Sequence, residues 1–102
     1  MPASAPMLRI TIASQASGEA VLRVEGWVVR EGVTLLANEV QRWLDQGQRV
    51  VLDLDGVRFI DRAGLELLGA RVGTHLALRG GSPFIRAQLR RRGLGSSGST
   101  GT

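Results

Sequence analysis

The run Arg49–Leu68, RVVLDLDGVRFIDRAGLELL, constrains the fold more than any other stretch. It begins apolar and β-branched through Val50, Val51, Leu52 and Leu54, and meets a turn signal at Asp55-Gly56. It then passes Val57, Phe59 and Ile60 and opens a helix after Asp61. Asp61 suits an N-cap, because its carboxylate can accept from the first-turn N–H groups. A strand feeding a helix N-terminus through a short loop gathers unpaired backbone N–H groups and the positive end of the helix dipole in one place. Functional sites are commonly built at such junctions. The strand Arg49–Leu54 is apolar on both faces except at Asp53, which predicts a central position in a sheet.

The flanking segments supply that sheet and its cover. Leu8, Ile10 and Ile12 alternate with polar or small residues, and Ala20, Leu22 and Val24 do the same after a polar turn over Ser14–Glu19 containing Gly18. Both patterns have the two-residue period of strands, and the short polar link predicts a hairpin. Gly26 is expected to redirect the chain, leaving Trp27, Val28 and Val29 between strand and helix. From Glu31 the apolar residues Val33, Leu36, Ala37, Val40, Trp43 and Leu44 recur at helical steps, with Gly47 placed for a left-handed C-cap. A second helix after Asp61 is expected to bury Leu65, Leu68, Gly69 and Val72. His75–Arg79 alternates as a short strand, and Ser82-Pro83 starts a last helix with Ser as cap and Pro in the first turn. Residues 1–7 read as a flexible lead-in, 8–92 as one domain and 93–102, rich in Gly, Ser and Thr, as a flexible tail. The order strand, strand, helix, strand, helix, strand, helix implies two crossovers between parallel neighbours. The fold class is therefore α/β, a mixed but mostly parallel sheet of four to five strands with helices packed on it.

Composition removes several functions. With 102 residues the chain has room for one core, and with no cysteine it lacks disulfides, thiolate chemistry and cysteine-based zinc sites. The net charge is +4, yet every one of the 13 basic residues is Arg, a bias that points to genome composition more than to a nucleic-acid partner. No Lys means no GxxxxGK[ST] phosphate loop, and no GxGxxG opens a helix. His75 is the lone histidine, a weak basis for hydrolase chemistry. Asp53, Asp55 and Asp61 read as strand, turn and cap residues more readily than as metal ligands, so neither metal nor cofactor is expected. The N-terminus lacks a secretory signal and no apolar run reaches membrane-spanning length, which sets a cytoplasmic expectation.

The segment VVLDLDGVRFIDRAGLELL resembles the signature of STAS domains, the family of sulfate transporters and anti-sigma factor antagonists. Asp53, Leu54, Val57, Phe59, Ile60, Asp61, Gly64 and Leu65 fit its pattern of an apolar strand turning through a D-L-x-x-V-x-F-I-D element into a helix. The spacing of VLRVEGWVVREGVTLLANEVQRWL and of SPFIRAQLRRRGL fits as well, so the resemblance spans roughly residues 8–94. The chain departs from the family in three ways. The position after the motif Asp, where phosphorylation-regulated antagonists carry a Ser, is Arg62, followed by Ala63. Val29 stands near where the family often has an Asp. Gly64–Gly80 is short for a helix and strand, and no strand follows Arg92.

The resemblance implies a bacterial, non-enzymatic protein-interaction module of the anti-sigma factor antagonist type. It would bind a cytoplasmic partner, an anti-sigma factor or GHKL-type kinase, through the 57–68 loop and helix, and could not be switched by phosphorylation at the usual position. The partner-binding residues so nominated are Arg58, Phe59, Asp61, Arg62, Ala63, Leu65 and Glu66. Arg62 has two readings: a contact to an acidic surface or anion, or a solvated side chain swinging away from the dipole it opposes. One competing function is an accessory STAS subunit stabilising the ATPase of an ABC-type lipid transporter. Another is an anion or nucleic-acid binder using Arg86, Arg90, Arg91 and Arg92, against which the scarcity of aromatics argues. Trp27 is either core or, if exposed, an interface anchor. Homodimerisation stays open.

Overall fold

The computed structural model describes residues 8–94. Its elements are β1 (Leu8–Ala16), β2 (Glu19–Val28), α1 (Glu31–Asp45), β3 (Arg49–Ile60), α2 (Arg62–Arg71), β4 (Leu76–Arg79) and α3 (Pro83–Arg91). The four strands lie in sequence order in one sheet, with β1 antiparallel to β2 and the β2–β3 and β3–β4 pairs parallel. This is the α/β architecture that the element order predicts, with four strands. The hairpin is tighter than expected, since β1 continues to Ala16 and β2 begins at Glu19.

One face of the sheet meets the helices. Ala20, Leu22, Val24 and Val28 of β2, Val50, Leu52, Leu54, Val57 and Ile60 of β3, and Leu76 of β4 form a single buried cluster. Leu36, Val40 and Trp43 of α1, Leu65 and Leu68 of α2, and Ile85 and Leu89 of α3 complete it. The helix stripe on α1 is therefore the one its spacing predicts. On α2 the buried set is narrower than expected: Gly64, Leu65 and Leu68 are buried, whereas Gly69 and Val72 are exposed. The helix is short and ends at Arg71, so Val72 has already left the helical stripe.

The largest departure from the sequence reading is β3. Asp55-Gly56 is not a turn; the strand runs unbroken from Arg49 to Ile60. Its register against β2 shifts twice, from Arg23↔Asp53 to Glu25↔Gly56 and from Gly26↔Val57 to Trp27↔Phe59, each time with one extra residue in β3. Such bulges reset the two-residue alternation. That is why the buried positions step from Leu54 to Val57 and from Val57 to Ile60, three residues each time. Gly56 is there for close approach: a Cβ would lie 2.6 Å from Glu25 Cγ across the strand pair. The same bulges keep Trp27 and Val28 within β2, past Gly26, where the sequence suggested a linker.

The face away from the helices carries a charged row in register, Arg23↔Asp53↔Arg79. Asp53 is buried, and its Oδ2 lies 3.9 Å from Arg23 Nε and 3.7 Å from an Arg79 guanidinium nitrogen. Its Oδ1 accepts from the Asp55 N–H at 3.0 Å, while Asp55 Oδ1 accepts from the Gly81 N–H at 2.8 Å. Two helices end in the same way. After α1 the Gly47 and Gln48 N–H groups donate to Leu44 and Trp43 carbonyls, and after α3 those of Gly93 and Leu94 donate to Arg90 and Leu89. These are Schellman caps with Gly in the left-handed position, and the second packs Leu94 against the core. Gly93 and Leu94, past the expected boundary at Arg92, are thus held by this cap. The remaining lead-in and tail residues lie outside the described residues.

Candidate functional site

The end of β3 and the start of α2 form one rigid corner. Asp61 Oδ1 accepts from the Gly64 N–H at 2.8 Å, the cap its position predicts. Asp61 Oδ2 accepts from the Arg30 N–H at 3.3 Å, so the same carboxylate also holds the segment that leads into α1. Arg30 has φ +50°, a conformation that costs a non-glycine residue on the order of 1–3 kcal/mol and is kept only where the surroundings impose it. Below the corner the packing is tight. A Cβ on Gly64 would lie 2.7 Å from Ile60 Cγ2 and 3.0 Å from the Val28 carbonyl oxygen. Only a residue without a side chain lets α2 start this close to the ends of β2 and β3. Gln88 Nε2 of α3 donates to the Ile60 carbonyl at 3.3 Å and closes the other side.

Two aromatic rings stand on this corner. Trp27 and Phe59 are register partners, each one residue before a buried neighbour (Val28, Ile60), so both project away from the core. Their ring centroids are 5.8 Å apart at an interplanar angle of 46°, a tilted pairing favoured by the ring quadrupoles. Trp27 is nevertheless 43% exposed. Arg58 precedes Phe59 and is exposed, as are Arg62, Ala63 and Glu66 at the head of α2. Next to them lies an open groove of about 380 Å³, lined by Asp55, Gly56, Val57, Arg58, Ser82 and the 56%-exposed Phe84. No buried polar side chain points into it among these residues, so it extends the surface more than it encloses a ligand.

The nominated residues therefore divide. Arg58, Phe59, Arg62, Ala63 and Glu66 reach the surface at the corner. Asp61 is committed to two backbone N–H groups, and Leu65, at 8% exposure, belongs to the core and fixes α2 in place. Trp27 joins the group as an exposed ring, and Arg30 as its strained neighbour. A tryptophan in an apolar run is normally core, so only its register against Phe59 shows it outside; Arg30 carries no sequence signal for φ > 0. The three carboxylates of the motif serve separate backbone and arginine partners. Among the described residues no group of His and acidic side chains is gathered for a metal ion, and no helix is long and apolar enough to cross a membrane. In the basic C-terminal segment, Arg86 donates to the Gly80 carbonyl at 3.4 Å while Arg90, Arg91 and Arg92 lie exposed at the helix end. Cations at that end are favoured by the dipole without any ligand.

A sheet with its helices on one face, and a capped helix opening directly off the central strand, defines a small α/β domain organised around one strand-to-helix corner. The chain belongs to the STAS domain family: residues 12–96 match the family model described as Mlab, STAS domain. Solved structures share the fold. An anti-sigma factor antagonist from Mycobacterium paratuberculosis superposes with a TM-score of 0.74 at 22% identity, over 90% of this chain and 84% of that one. The anti-sigma factor antagonist SpoIIAA in its unphosphorylated form gives 0.73 at 20% identity, over 90% and 89%. An antisigma-factor antagonist STAS domain from Rhodobacter sphaeroides gives 0.53 at 20% identity, over 74% and 86%. None of the curated proteins matches the chain.

Proposed function

We propose that this STAS domain is a non-enzymatic interaction module of the anti-sigma factor antagonist type, docking onto a protein partner through the corner formed by β3 and α2. The observation that carries the reading is the exposed Trp27 ring paired with the half-buried Phe59 at the strand ends that form this corner. A large exposed ring on a rigid base is the kind of residue that most often dominates binding energy, because it buries much apolar area at little entropic cost. Arg58, Arg62, Ala63 and Glu66 form the surrounding rim. The partner would be an anti-sigma factor or GHKL-type kinase, acting in the cytoplasm, and binding would free whatever that partner held. Arg62 and Ala63 offer no hydroxyl, so control would come from abundance or from the partner's own state.

The accessory-subunit reading, docking on a transporter ATPase, is favoured by the same exposed Trp27. Affinity capture from the source organism distinguishes them, with the wild-type chain, Arg62→Glu and Trp27→Ala as baits. Recovery of an anti-sigma factor or kinase, lost with either variant, supports the antagonist reading. Recovery of a transporter ATPase moves the protein to the second reading. If the two variants retain every partner that the wild type does, the corner is not the docking site.

A further inference from the structure

We infer that the outward face of α3 is a docking surface for an anionic lipid bilayer, a function beyond partner binding at the corner. Charge is split along the length of the chain. All nine acidic residues lie at or before Glu66, and every acidic or strongly basic side chain after it is an arginine: Arg71, Arg79, Arg86, Arg90, Arg91 and Arg92. Genome composition accounts for arginine standing in place of lysine. It does not account for the acidic residues stopping where they do. The helix dipole favours Arg90 and Arg91 in the last turn of α3, but it would equally favour an acidic residue in the first turn, and none is there.

The helix gathers this charge on one side. Ile85 and Leu89 are buried and set its inward face. Arg90 follows Arg86 at the i+4 position, and Arg91 follows Phe84 at i+7, so each pair shares a stripe. Arg90, Arg91 and Arg92 are exposed, and the ion pairs among the described residues involve none of them. Phe84 stands 56% exposed at the head of the same helix. None of these residues belongs to the set nominated for the corner.

This combination selects a lipid surface. Unpaired cations beside an exposed ring, with no carboxylate on the helix, suit dense negative charge lying over an apolar interior. A bilayer supplies both, since its headgroups attract the guanidinium groups and its acyl boundary buries the ring. A nucleic acid supplies the charge but makes poor use of the rest. The polar side chains of α3 and its cap that could read base edges are occupied within the fold: Gln88 donates to the Ile60 carbonyl, and Ser82 accepts from the Ile85 N–H. Phe84 is the only ring on the helix, too few for stacking successive bases. Because Ile85 and Leu89 stay in the core, contact with the bilayer would be shallow, through the arginines and one ring.

Co-sedimentation of the full chain with vesicles tests this. Vesicles of phosphatidylglycerol and phosphatidylcholine in about equal parts should retain the chain at low salt. Phosphatidylcholine alone should not, and about 0.5 M salt should release what is bound. Arg90→Gln combined with Arg91→Gln should weaken retention by about twentyfold, roughly fivefold for each charge. Arg90→Lys combined with Arg91→Lys keeps the charge and should bind as the wild type does. Phe84→Ser should weaken retention by about tenfold while leaving any binding to duplex DNA unchanged. All three sites are exposed, and closely matching unfolding midpoints would show that the variants fold. A chain that ignores the anionic vesicles, or binds both kinds equally, overturns the inference. So does retention that survives both the glutamine pair and Phe84→Ser. Tighter binding to duplex DNA than to the anionic vesicles, with Phe84→Ser weakening neither, would assign the face to nucleic acid instead.

Discussion

Asp61 gives the sharpest test of how the corner is built. Its two carboxylate oxygens do different work, one capping α2 through Gly64 and one holding Arg30. Removing the cap costs about 1 kcal/mol, the middle of the range for replacing a capping Asp by Ala. The Arg30 bond is longer and lies at the surface, so its loss adds roughly 0.5 kcal/mol, the low end for a net hydrogen bond. Asp61→Ala should therefore destabilise the domain by about 1.5 kcal/mol, a fall in Tm of roughly 6–12 °C for a chain of this size. Asp61→Asn keeps one carbonyl oxygen for the Gly64 N–H but offers an amide nitrogen, which cannot accept, to Arg30. Asn and Asp cap about equally well, so this variant should lose only about 0.5 kcal/mol. Urea unfolding at constant m-value measures both. Equal losses for Ala and Asn would refute the division of labour between the oxygens, and a loss below about 0.3 kcal/mol for Ala would refute the cap itself.

Other expectations follow from the same packing. Gly64→Ala should destabilise by about 1–3 kcal/mol despite Ala's better helix propensity, because its Cβ would meet the Val28 carbonyl and Ile60; chemical denaturation reads this directly. Gly56→Ala should also destabilise, since its Cβ would meet Glu25 at Cγ with Cβ and the backbone Cα close behind; the same denaturation experiment reads it. Trp27→Ala should leave the unfolding midpoint nearly unchanged while weakening the partner complex by about 2 kcal/mol, roughly thirtyfold, in a titration calorimeter. Arg79→Ala should cost under about 1 kcal/mol, because a half-exposed ion pair is screened. Asp53→Ala should cost about 1–3 kcal/mol, since it also strips the Asp55 N–H of its acceptor; comparing the two denaturation curves separates charge pairing from backbone satisfaction.

Much of this was legible in the order of residues. Alternation placed β1, β2 and β4, helical spacing placed Leu36, Val40 and Trp43 inward, and Asp61 and Ser82 announced their helices as caps. The Asp55-Gly56 pair misleads because local turn chemistry cannot report a neighbour on the adjacent strand. There Gly is required by the Glu25 side chain on β2, a long-range fact. For the same reason the exposure of Trp27 was undecided until the bulges of β3 fixed its partner as Phe59. Caps, turns and stripes are local; bulges and registers belong to pairs of strands.

The two carboxylates of β3 that face Arg79 and Gly81 bear on how faithfully the sheet assembles. β4 is four residues long, and a slip of two along β3 would keep its apolar residues pointing the same way, so hydrophobic alternation alone does not forbid it. Asp53 and Asp55 are spaced by two, as are Arg79 and Gly81, and each pair meets only at the native offset. They work as a two-toothed key for the sheet's shortest strand. Apolar substitutions within Leu76–Leu78 should then be forgiven more readily than a single residue inserted or deleted between Arg79 and Gly81, which would leave one tooth without its slot.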